Sequence, residues 1–470
     1  MAAPAATRPP HPPQHPPAEP ATPAEHSLKP QLASRHLTML ALGGVIGAGL
    51  FVGSGQGLAL AGPAVLVSYL VAALIALAIM RMLGELAAAL PVSGSFSVYA
   101  DKALGPWAGF TTGWLYWWIT SIAIAVEAMA AAGIVHQWIP GLPNWVAALA
   151  FMALFTGLNT LSVKMFGEAE FWFASLKVAA VIAFIALGAA ALFGWLPGTP
   201  SPGTAHLTGH GGFAPHGTGG ILAALLAVIF AFGGMEVIAM AAAESADPAL
   251  AVSRAVRSAI WRIALFYIGS VAVLAALLPW TAAEPGRSPY PLVLERLGIP
   301  AAGTVTEAVI LVALLSALNA NLYGTSRMLH SLALRRDAPA ALAPVSSKGA
   351  PRRAVLASAA LGFLCIPLEA VRPGAVLPVL AEAMGGAMLF MWLTVAASHL
   401  VLRRRLERTE PERLVLRTPG FPGITLAVIV VLVAVIAAMA LDPSARGQIL
   451  GSGLLAGALA AVGHLRRRTA

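Results

Sequence analysis

Four glycines fall within the seven positions from Gly43 to Gly49, inside the first long apolar segment of the chain. Each glycine costs about 1 kcal/mol in a helix interior, so this run predicts an interrupted helix. The chain is 58% hydrophobic and 10% charged, with a mean hydropathy of +0.80, which is typical of a membrane protein. Because lipid cannot satisfy free backbone groups, such an interruption must be buried in protein or line a cavity.

The apolar segments predict an all-α integral membrane protein with about 12 transmembrane helices. A span requires about 20 predominantly apolar residues, and about twelve segments of this chain meet that requirement. They lie near residues 38–60, 62–82, 107–133, 144–162, 170–193, 219–243, 259–279, 304–330, 354–371, 374–400, 421–441 and 446–464.

The net charge of +9 is explained by membrane orientation rather than by nucleic-acid binding. If the N-terminus is cytoplasmic and twelve spans follow, 24 Lys and Arg residues fall in cytoplasmic segments. Four fall on the other side, namely Arg287, Arg296, Arg372 and Arg446. This bias matches the positive-inside rule. We therefore expect both termini in the cytoplasm, the lipid bilayer as a partner and no nucleic-acid partner.

The N-terminal arm and the cysteine content argue against several other kinds of site. Residues 1–34 are rich in Pro and His and lack the apolar stretch of a signal peptide, so we expect a disordered cytoplasmic arm. Its histidines are irregularly spaced, which argues against a metal site there. The single Cys365 excludes an intramolecular disulfide and a multi-thiolate metal site.

A second glycine interruption lies near the middle of the sixth apolar segment, at residues 230–236. Gly233 follows Gly47 by 186 residues, which is about five spans with their loops. Because five is odd, the second set of spans is inverted relative to the first, and paired interruptions in such halves indicate a solute site near the midplane. The predicted regions are the arm at 1–34, two five-helix repeats at 35–200 and 201–402, and helices 11 and 12 with a basic tail at 403–470.

Ordered motifs throughout the chain after about residue 34 resemble the amino acid permeases of the amino acid–polyamine–organocation superfamily. They include Gly47–Gly55, Ala61–Pro63, Leu83–Leu86, Gly94–Ser97, Gly113–Trp118, Gly167–Phe173, Ala243–Pro248 and Ser326–Leu329. The resemblance implies a LeuT-like 5+5 inverted repeat with discontinuous helices 1 and 6 and two peripheral helices. It also implies a secondary active transporter of amino acids, not an enzyme, with no cofactor and with H+ as the coupling ion.

Within this family, the chain resembles most the permeases of 4-aminobutyrate (GABA). Ala48 is one basis, because many other relatives have Thr at this position. Ala would enlarge the site and suit an ω-amino acid, whose amine lies far from its carboxylate. The alternative is that Ala48 is an ordinary helix residue without a role in specificity. The Ala- and Arg-rich composition favours a bacterial source, and hence a location in the cytoplasmic (inner) membrane.

An amino acid zwitterion that leaves water needs separate partners for its carboxylate and its ammonium. The N-terminus of a half-helix offers free N–H donors to the carboxylate, and exposed carbonyls at the second break can accept from the ammonium. The resemblance implies that Phe230 closes over the substrate. Close helix packing is the alternative explanation for both breaks. The predicted substrate-binding residues are Ile46, Gly47, Ala48, Gly49, Phe230, Phe232, Gly233 and Gly234.

Ionisable residues within the spans are expensive to bury and are therefore functional candidates. The resemblance implies that Lys177 occupies the position of a sodium ion in sodium-coupled relatives, which predicts a role in proton coupling. Snorkelling of its ammonium to the interface is the alternative. Glu236 resembles a glutamate that braces the second break, and it is the other predicted coupling residue.

Three further residues are predicted to line a gate or vestibule. Glu85 would form a cytoplasmic gate with basic loop residues, Glu127 would meet the substrate amine or line the outer vestibule, and Tyr116 would line the cavity. We expect a proton-coupled importer of amino acids that works by alternating access, with GABA as the favoured substrate. A permease for proline, an aromatic or a small neutral amino acid, or an amino acid exchanger, is the alternative. The oligomeric state is left open.

Overall fold

The computed structural model describes residues 46–92, 95–161, 163–197, 200–234, 263–284, 287–299, 301–347 and 349–466, which form helices, turns and bends. The α-helices are α1 (Ala48–Phe51), α2 (Gly53–Ala61), α3 (Val65–Ala89), α4 (Ser95–Leu104), α5 (Pro106–Trp138), α6 (Asn144–Leu161), α7 (Val163–Leu192), α8 (Ala205–Thr208), α9 (Gly217–Ala231), α10 (Ser270–Leu277), α11 (Pro289–Arg296), α12 (Ala302–Leu334), α13 (Arg352–Val371), α14 (Val376–Thr409), α15 (Gly423–Leu441) and α16 (Arg446–Leu465). A π-helical segment, Ile263–Gly269, leads into α10.

The observed helices coincide with the predicted apolar segments. Within the described ranges, nine helical stretches are long and apolar enough to cross a membrane, and Ala48–Ala89 covers two predicted segments. The shorter apolar helices Gly217–Ala231 and Leu265–Leu277 coincide with the sixth and seventh. Each predicted segment therefore contains helix, which confirms the all-α membrane architecture. The arm at 1–34 and Glu236 lie outside the described residues.

The first predicted break lies where α1 begins. Gly47 is extended, with φ −149° and ψ −149°, and helical hydrogen bonding starts with the donation of Leu50 and Phe51 N–H to its carbonyl oxygen. A second bend follows at Gly62, whose φ of +62° lies in the left-handed region that favours glycine. The chain therefore enters helix at Ala48 and turns again before α3.

The first and sixth predicted spans pack directly against each other through a glycine. A Cβ at Gly49 would lie 2.3 Å from the Cα of Ala231, so the backbones of α1 and α9 are in contact there. A Cβ at Gly385 of α14 would lie 2.1 Å from the carbonyl oxygen of Leu226, so the backbone of α14 also contacts α9. Small residues thus bring both interrupted segments to one place, as is usual for close helix contacts in membranes.

The centre and the rim of the bundle differ in burial. In α5, 83% of the apolar stretch is buried, and this helix packs most extensively against α12. In α15 and α16 only 17% is buried. Their exposed leucine and valine side chains suit contact with lipid, and the prediction that helices 11 and 12 are peripheral is confirmed.

Candidate functional site

The start of α1 is bound by a glutamate from α5. The backbone N–H of Ala48 donates to both carboxylate oxygens of Glu127, at 3.1 Å to Oε1 and 3.0 Å to Oε2. Gly47 leaves room for this contact, because a Cβ there would lie 2.5 Å from Oε1 and 2.7 Å from the Cβ of Ala317. Glu127 is 3% exposed. A glycine at position 47 therefore allows a buried carboxylate to reach the backbone.

The second break begins where α9 ends. Residues 232–234 form a turn, and Gly234 has a φ of +91°. The hydroxyl of Tyr267 donates to the carbonyl oxygen of Ala231 at 2.9 Å, which satisfies one of the last carbonyls of α9. The ring of Phe232 stacks on Tyr267, with the ring centroids 4.8 Å apart, and is fully buried. The Phe232 side chain therefore packs in the protein interior, and the contribution predicted for this residue concerns its backbone carbonyl.

A small cavity of about 30 Å³ separates the two breaks. This volume accommodates about two water molecules, so the space is closed to an amino acid in this conformation. Its lining contains five of the predicted residues, Gly49, Glu127, Phe230, Gly233 and Gly234. The other lining residues are Ile119, Thr120, Ala123, Ala231, Asn321, Met384 and Met388.

Three further predicted residues are buried but do not line the cavity. Ile46 and Ala48 are each 1% exposed and buried beside the break. Tyr116 is also buried and contacts the ring of Phe96 of α4 edge-on, with centroids 4.9 Å apart. Tyr116 therefore joins α4 to α5 on the Glu85 side of the cavity.

Lys177 is completely buried and paired with a second glutamate. Its Nζ lies 3.7 Å from Oε1 of Glu170, which is also on α7, and the two side chains are 0% and 1% exposed. The hydroxyl of Ser316 on α12 donates to Oε2 of Glu170 at 2.6 Å. The side chain of Lys177 therefore points into the bundle and does not snorkel. Sequence analysis missed Glu170 as its partner, although a spacing of seven residues places both on one helix face.

Glu127, Glu170 and Lys177 form a buried charge network. Lys177 interacts electrostatically with both carboxyl groups. Buried charges must be compensated, because their desolvation is costly. With Lys177 and one carboxyl ionised, the three side chains are neutral together only when the other carboxyl carries a proton.

A second charged cluster closes the bundle at the Glu85 end. Glu85 of α3 is fully buried and accepts from Arg403 of α14 and from the backbone N–H of Thr418. Its Oε2 lies 3.3 Å from Nε2 of His399, whose Nδ1 lies 3.1 Å from the hydroxyl of Thr425. Glu85 was predicted to pair with basic loop residues, but its basic partner is the helical Arg403. This arginine is 4% exposed, so it does not belong to an exposed basic stretch.

The opposite end of the bundle, here named the Arg287 end, contains larger spaces. One cavity of about 330 Å³ and one of about 130 Å³ share the lining residues Ile134, Gln137, Arg287 and Ser288. The larger reaches Val52, directly after α1, and Met129, two residues from Glu127. These larger spaces thus come close in sequence to the start of α1 and to Glu127. Among the described residues, no group of three or more His, Cys, Asp or Glu side chains is placed to hold a metal ion.

Comparison with solved structures supports the fold. The chain matches crystal structures of the Eremococcus coleocola manganese transporter with a TM-score of 0.56 over 92% of both chains. The sequence identity is 14% in one and 13% in the other, so the likeness concerns the fold alone. It agrees with the helical architecture described above and confirms the predicted LeuT-like fold class.

Comparison with curated sequences identifies the family. The amino acid permease family matches residues 36–462. The gamma-aminobutyric acid permease of Bacillus subtilis is 44% identical over 92% of both chains, and a probable GABA permease of Pseudomonas aeruginosa is 46% identical over 91% of this chain and 90% of that protein. The aromatic amino acid transport protein AroP of Corynebacterium glutamicum is 43% identical over 91% of this chain and 93% of that protein. The chain therefore belongs to the amino acid permease family and is a multi-pass membrane transporter.

Proposed function

We propose that this permease imports amino acids together with protons, with GABA as the favoured substrate, by alternating access. The observation that carries this proposal is the hydrogen bond between Glu127 and Ala48. This bond links the start of α1 to a buried network that can hold one proton. The backbone N–H groups at the start of α1 are the donors that suit a substrate carboxylate. Substrate and proton can therefore affect each other through one residue.

The substrate carboxylate is assigned to the start of α1, at residues 46–49, and the ammonium to the carbonyls at 232–234. Glu127 accepts the Ala48 N–H in this conformation, so a substrate carboxylate would compete with it for the same donor. Two carboxylates on one backbone donor repel each other. Protonation of Glu127 removes the repulsion and releases the N–H to the substrate, and Phe230 then closes over the bound molecule.

Lys177 is assigned the positive charge that favours release of the proton from Glu127 after transport. In the network, its ammonium is compensated by Glu170 and attracted by Glu127. When Glu127 takes a proton and turns away from Ala48, Glu170 remains ionised and balances Lys177. When the substrate leaves, Glu127 releases the proton and accepts from Ala48 again. Glu236 is assigned the bracing of the second break, as its resemblance to the family glutamate implies.

We assign the Glu85 end to the cytoplasm and the Arg287 end to the outside, because the charge bias of the sequence favours this orientation. In a bacterium this membrane is the inner membrane, with both termini in the cytoplasm. The cluster of Glu85, Arg403 and His399 then holds the cytoplasmic end closed while the outer cavities give access to the centre. Opening toward the cytoplasm requires this cluster to separate, as alternating access demands.

GABA is favoured by Ala48 and by the similarity to two GABA permeases at 44% and 46% identity. An aromatic amino acid is the second candidate, because an aromatic amino acid transport protein is 43% identical to the chain. The test is uptake by the purified protein in proteoliposomes, with labelled GABA, phenylalanine, proline and alanine supplied separately. An inward proton gradient and an inward sodium gradient are imposed in separate samples.

We expect concentrative uptake of GABA with the proton gradient alone, and competition by excess unlabelled GABA. Accumulation of phenylalanine but not of GABA would overturn GABA as the substrate and leave the family assignment unchanged. Uptake that requires sodium would overturn the proton coupling.

A further inference from the structure

The larger cavity at the Arg287 end contains several buried polar atoms without partners. Within the part of the chain that the structure describes, Oε2 of Glu369, Oδ1 of Asn144 and Oγ of Ser288 have no hydrogen-bond partner. All three residues line the cavity of about 330 Å³, and they come from α13, α6 and the segment before α11. The large majority of buried side-chain polar atoms have a hydrogen-bond partner, so three without one around a single cavity need an explanation.

Glu369 is the strongest of the three signals. The residue is 6% exposed, and its Oε1 accepts the backbone N–H of Gly374 at 2.7 Å. It lies in the last turn of α13, where the helix carbonyls concentrate partial negative charge. A carboxylate in this position is disfavoured unless donors or a cation compensate its charge, and the Gly374 N–H reaches only Oε1. The free Oε2 therefore indicates a cationic ligand with N–H donors, to which Asn144 and Ser288 can add acceptors.

An anion partner lines the same cavity. Arg287 is 57% exposed, and it donates to Glu284 and to Gln137 at 2.9 Å each. Its ion pair with Glu284 is exposed and therefore weak, so a carboxylate from solution can replace it. The cavity thus presents a carboxylate and a guanidinium to one space that is about ten times the volume of the central cavity.

We propose that this cavity is an outer docking site for the amino acid zwitterion, in which Glu369 and Asn144 bind the ammonium and Arg287 binds the carboxylate. The site rests on the proposed transport function and adds a binding step before the central cavity. Its lining includes Val52, directly after α1, and Met129, two residues from Glu127.

The test uses the full-length protein in proteoliposomes with one reporter cysteine in the cavity. Gly133 is the reporter position, because a Cβ there meets nothing within 4 Å, and the residue lines the cavity. Native Cys365 is 8% exposed, so the unsubstituted protein serves as the blank. The rate at which a cationic methanethiosulfonate modifies G133C is measured against increasing GABA, and separately against n-propylammonium, which is GABA without its carboxylate.

We expect both compounds to slow the modification. The concentration of propylammonium that halves the rate should rise about tenfold in G133C/E369Q, because a charged hydrogen-bond partner is lost. In G133C/R287Q the half-protection concentration of GABA should rise, whereas that of propylammonium should not, because propylammonium has no carboxylate. The control is G133C/E307Q, which removes the same charge from a glutamate that accepts from Trp138 at 2.8 Å and lines the neighbouring cavity instead.

An unchanged half-protection concentration in G133C/E369Q, or an equal rise in G133C/E307Q, would overturn the docking site. L377C, on the α14 side of the cavity, provides a second reporter if G133C disturbs folding. The readout needs no transport, so it is separate from the proposed function. Absence of GABA uptake by the unsubstituted protein would reject GABA as substrate, whereas propylammonium protection that depends on Glu369 would still establish an ammonium site.

Discussion

Glu127 and Ala48 are 79 residues apart in sequence, and the backbone N–H of Ala48 donates to both carboxylate oxygens of Glu127. This contact brings the start of α1, the middle of α5 and the central cavity together. It also places a titratable group on the donor that we assign to the substrate carboxylate. Proton and substrate binding are therefore expected to be linked at this residue.

Replacing Glu127 with Gln should separate transport from the proton gradient. Gln retains an oxygen that can accept from Ala48 but cannot release a proton, so uptake driven by a proton gradient should fall by at least about tenfold. Exchange of labelled for unlabelled GABA at equal pH should be less affected. E412Q, in the connection before α15, is the charge-matched control. Equal losses of driven uptake and exchange in E127Q would argue for a purely structural role.

Replacing Lys177 with Met should destabilise the protein, because Glu170 then loses its ion-pair partner. Glu170 would remain buried with no cation, at a cost of about 3–5 kcal/mol, and the double variant E170Q/K177M should recover much of it. The measurement is the thermal unfolding temperature in detergent. K102M, at an exposed lysine of α4, is the control. A double variant no more stable than K177M would show that the ion pair is not the source of the loss.

A single added methyl group should have opposite effects at two glycines. G49A places a Cβ 2.3 Å from the Cα of Ala231, so α1 and α9 must move apart, at about 1–3 kcal/mol. G133A meets nothing within 4 Å and should stabilise α5 slightly through helix propensity. Unfolding temperatures measured in one detergent compare the two variants directly. If G49A unfolds at the temperature of the unsubstituted protein, the close approach of α1 and α9 is wrong.

Enlarging residue 48 should disfavour GABA. A48T adds a methyl and a hydroxyl at a position that is 1% exposed, beside the closed central cavity, so the site for a longer substrate shrinks. We expect the KM for GABA uptake to rise about tenfold, as overpacking of 1–3 kcal/mol implies. Alanine uptake, measured in the same vesicles, should suffer less. An unaltered KM for GABA in A48T would remove Ala48 as a determinant of specificity.

The membrane architecture could be predicted because its signals are local. Apolar length defines a span without reference to the rest of the chain, and the glycines at 47 and 49 mark the first break through backbone propensity alone. The burial of Lys177 could be predicted from its position within the fifth apolar segment. These features depend on neighbouring residues, and the structure places them where the sequence indicates.

The partners of the buried charges could not be predicted, because they depend on tertiary contacts. Arg403 lies in a basic run that suits a cytoplasmic surface, yet it pairs with Glu85 at a separation of 318 residues. Phe232 lies in the second break, but its ring turns toward Tyr267. Met384 and Met388 line the cavity from α14, where their spacing of four residues is equally typical of an ordinary buried face.

Proton movement during GABA transport tests the central claim most directly. The protein is reconstituted into sodium-free vesicles that contain a pH-sensitive dye, and GABA is added outside at equal pH. We expect GABA to acidify the interior with the unsubstituted protein and to produce no acidification with E127Q. Accumulation of labelled GABA by the unsubstituted protein without any acidification would contradict proton coupling through Glu127.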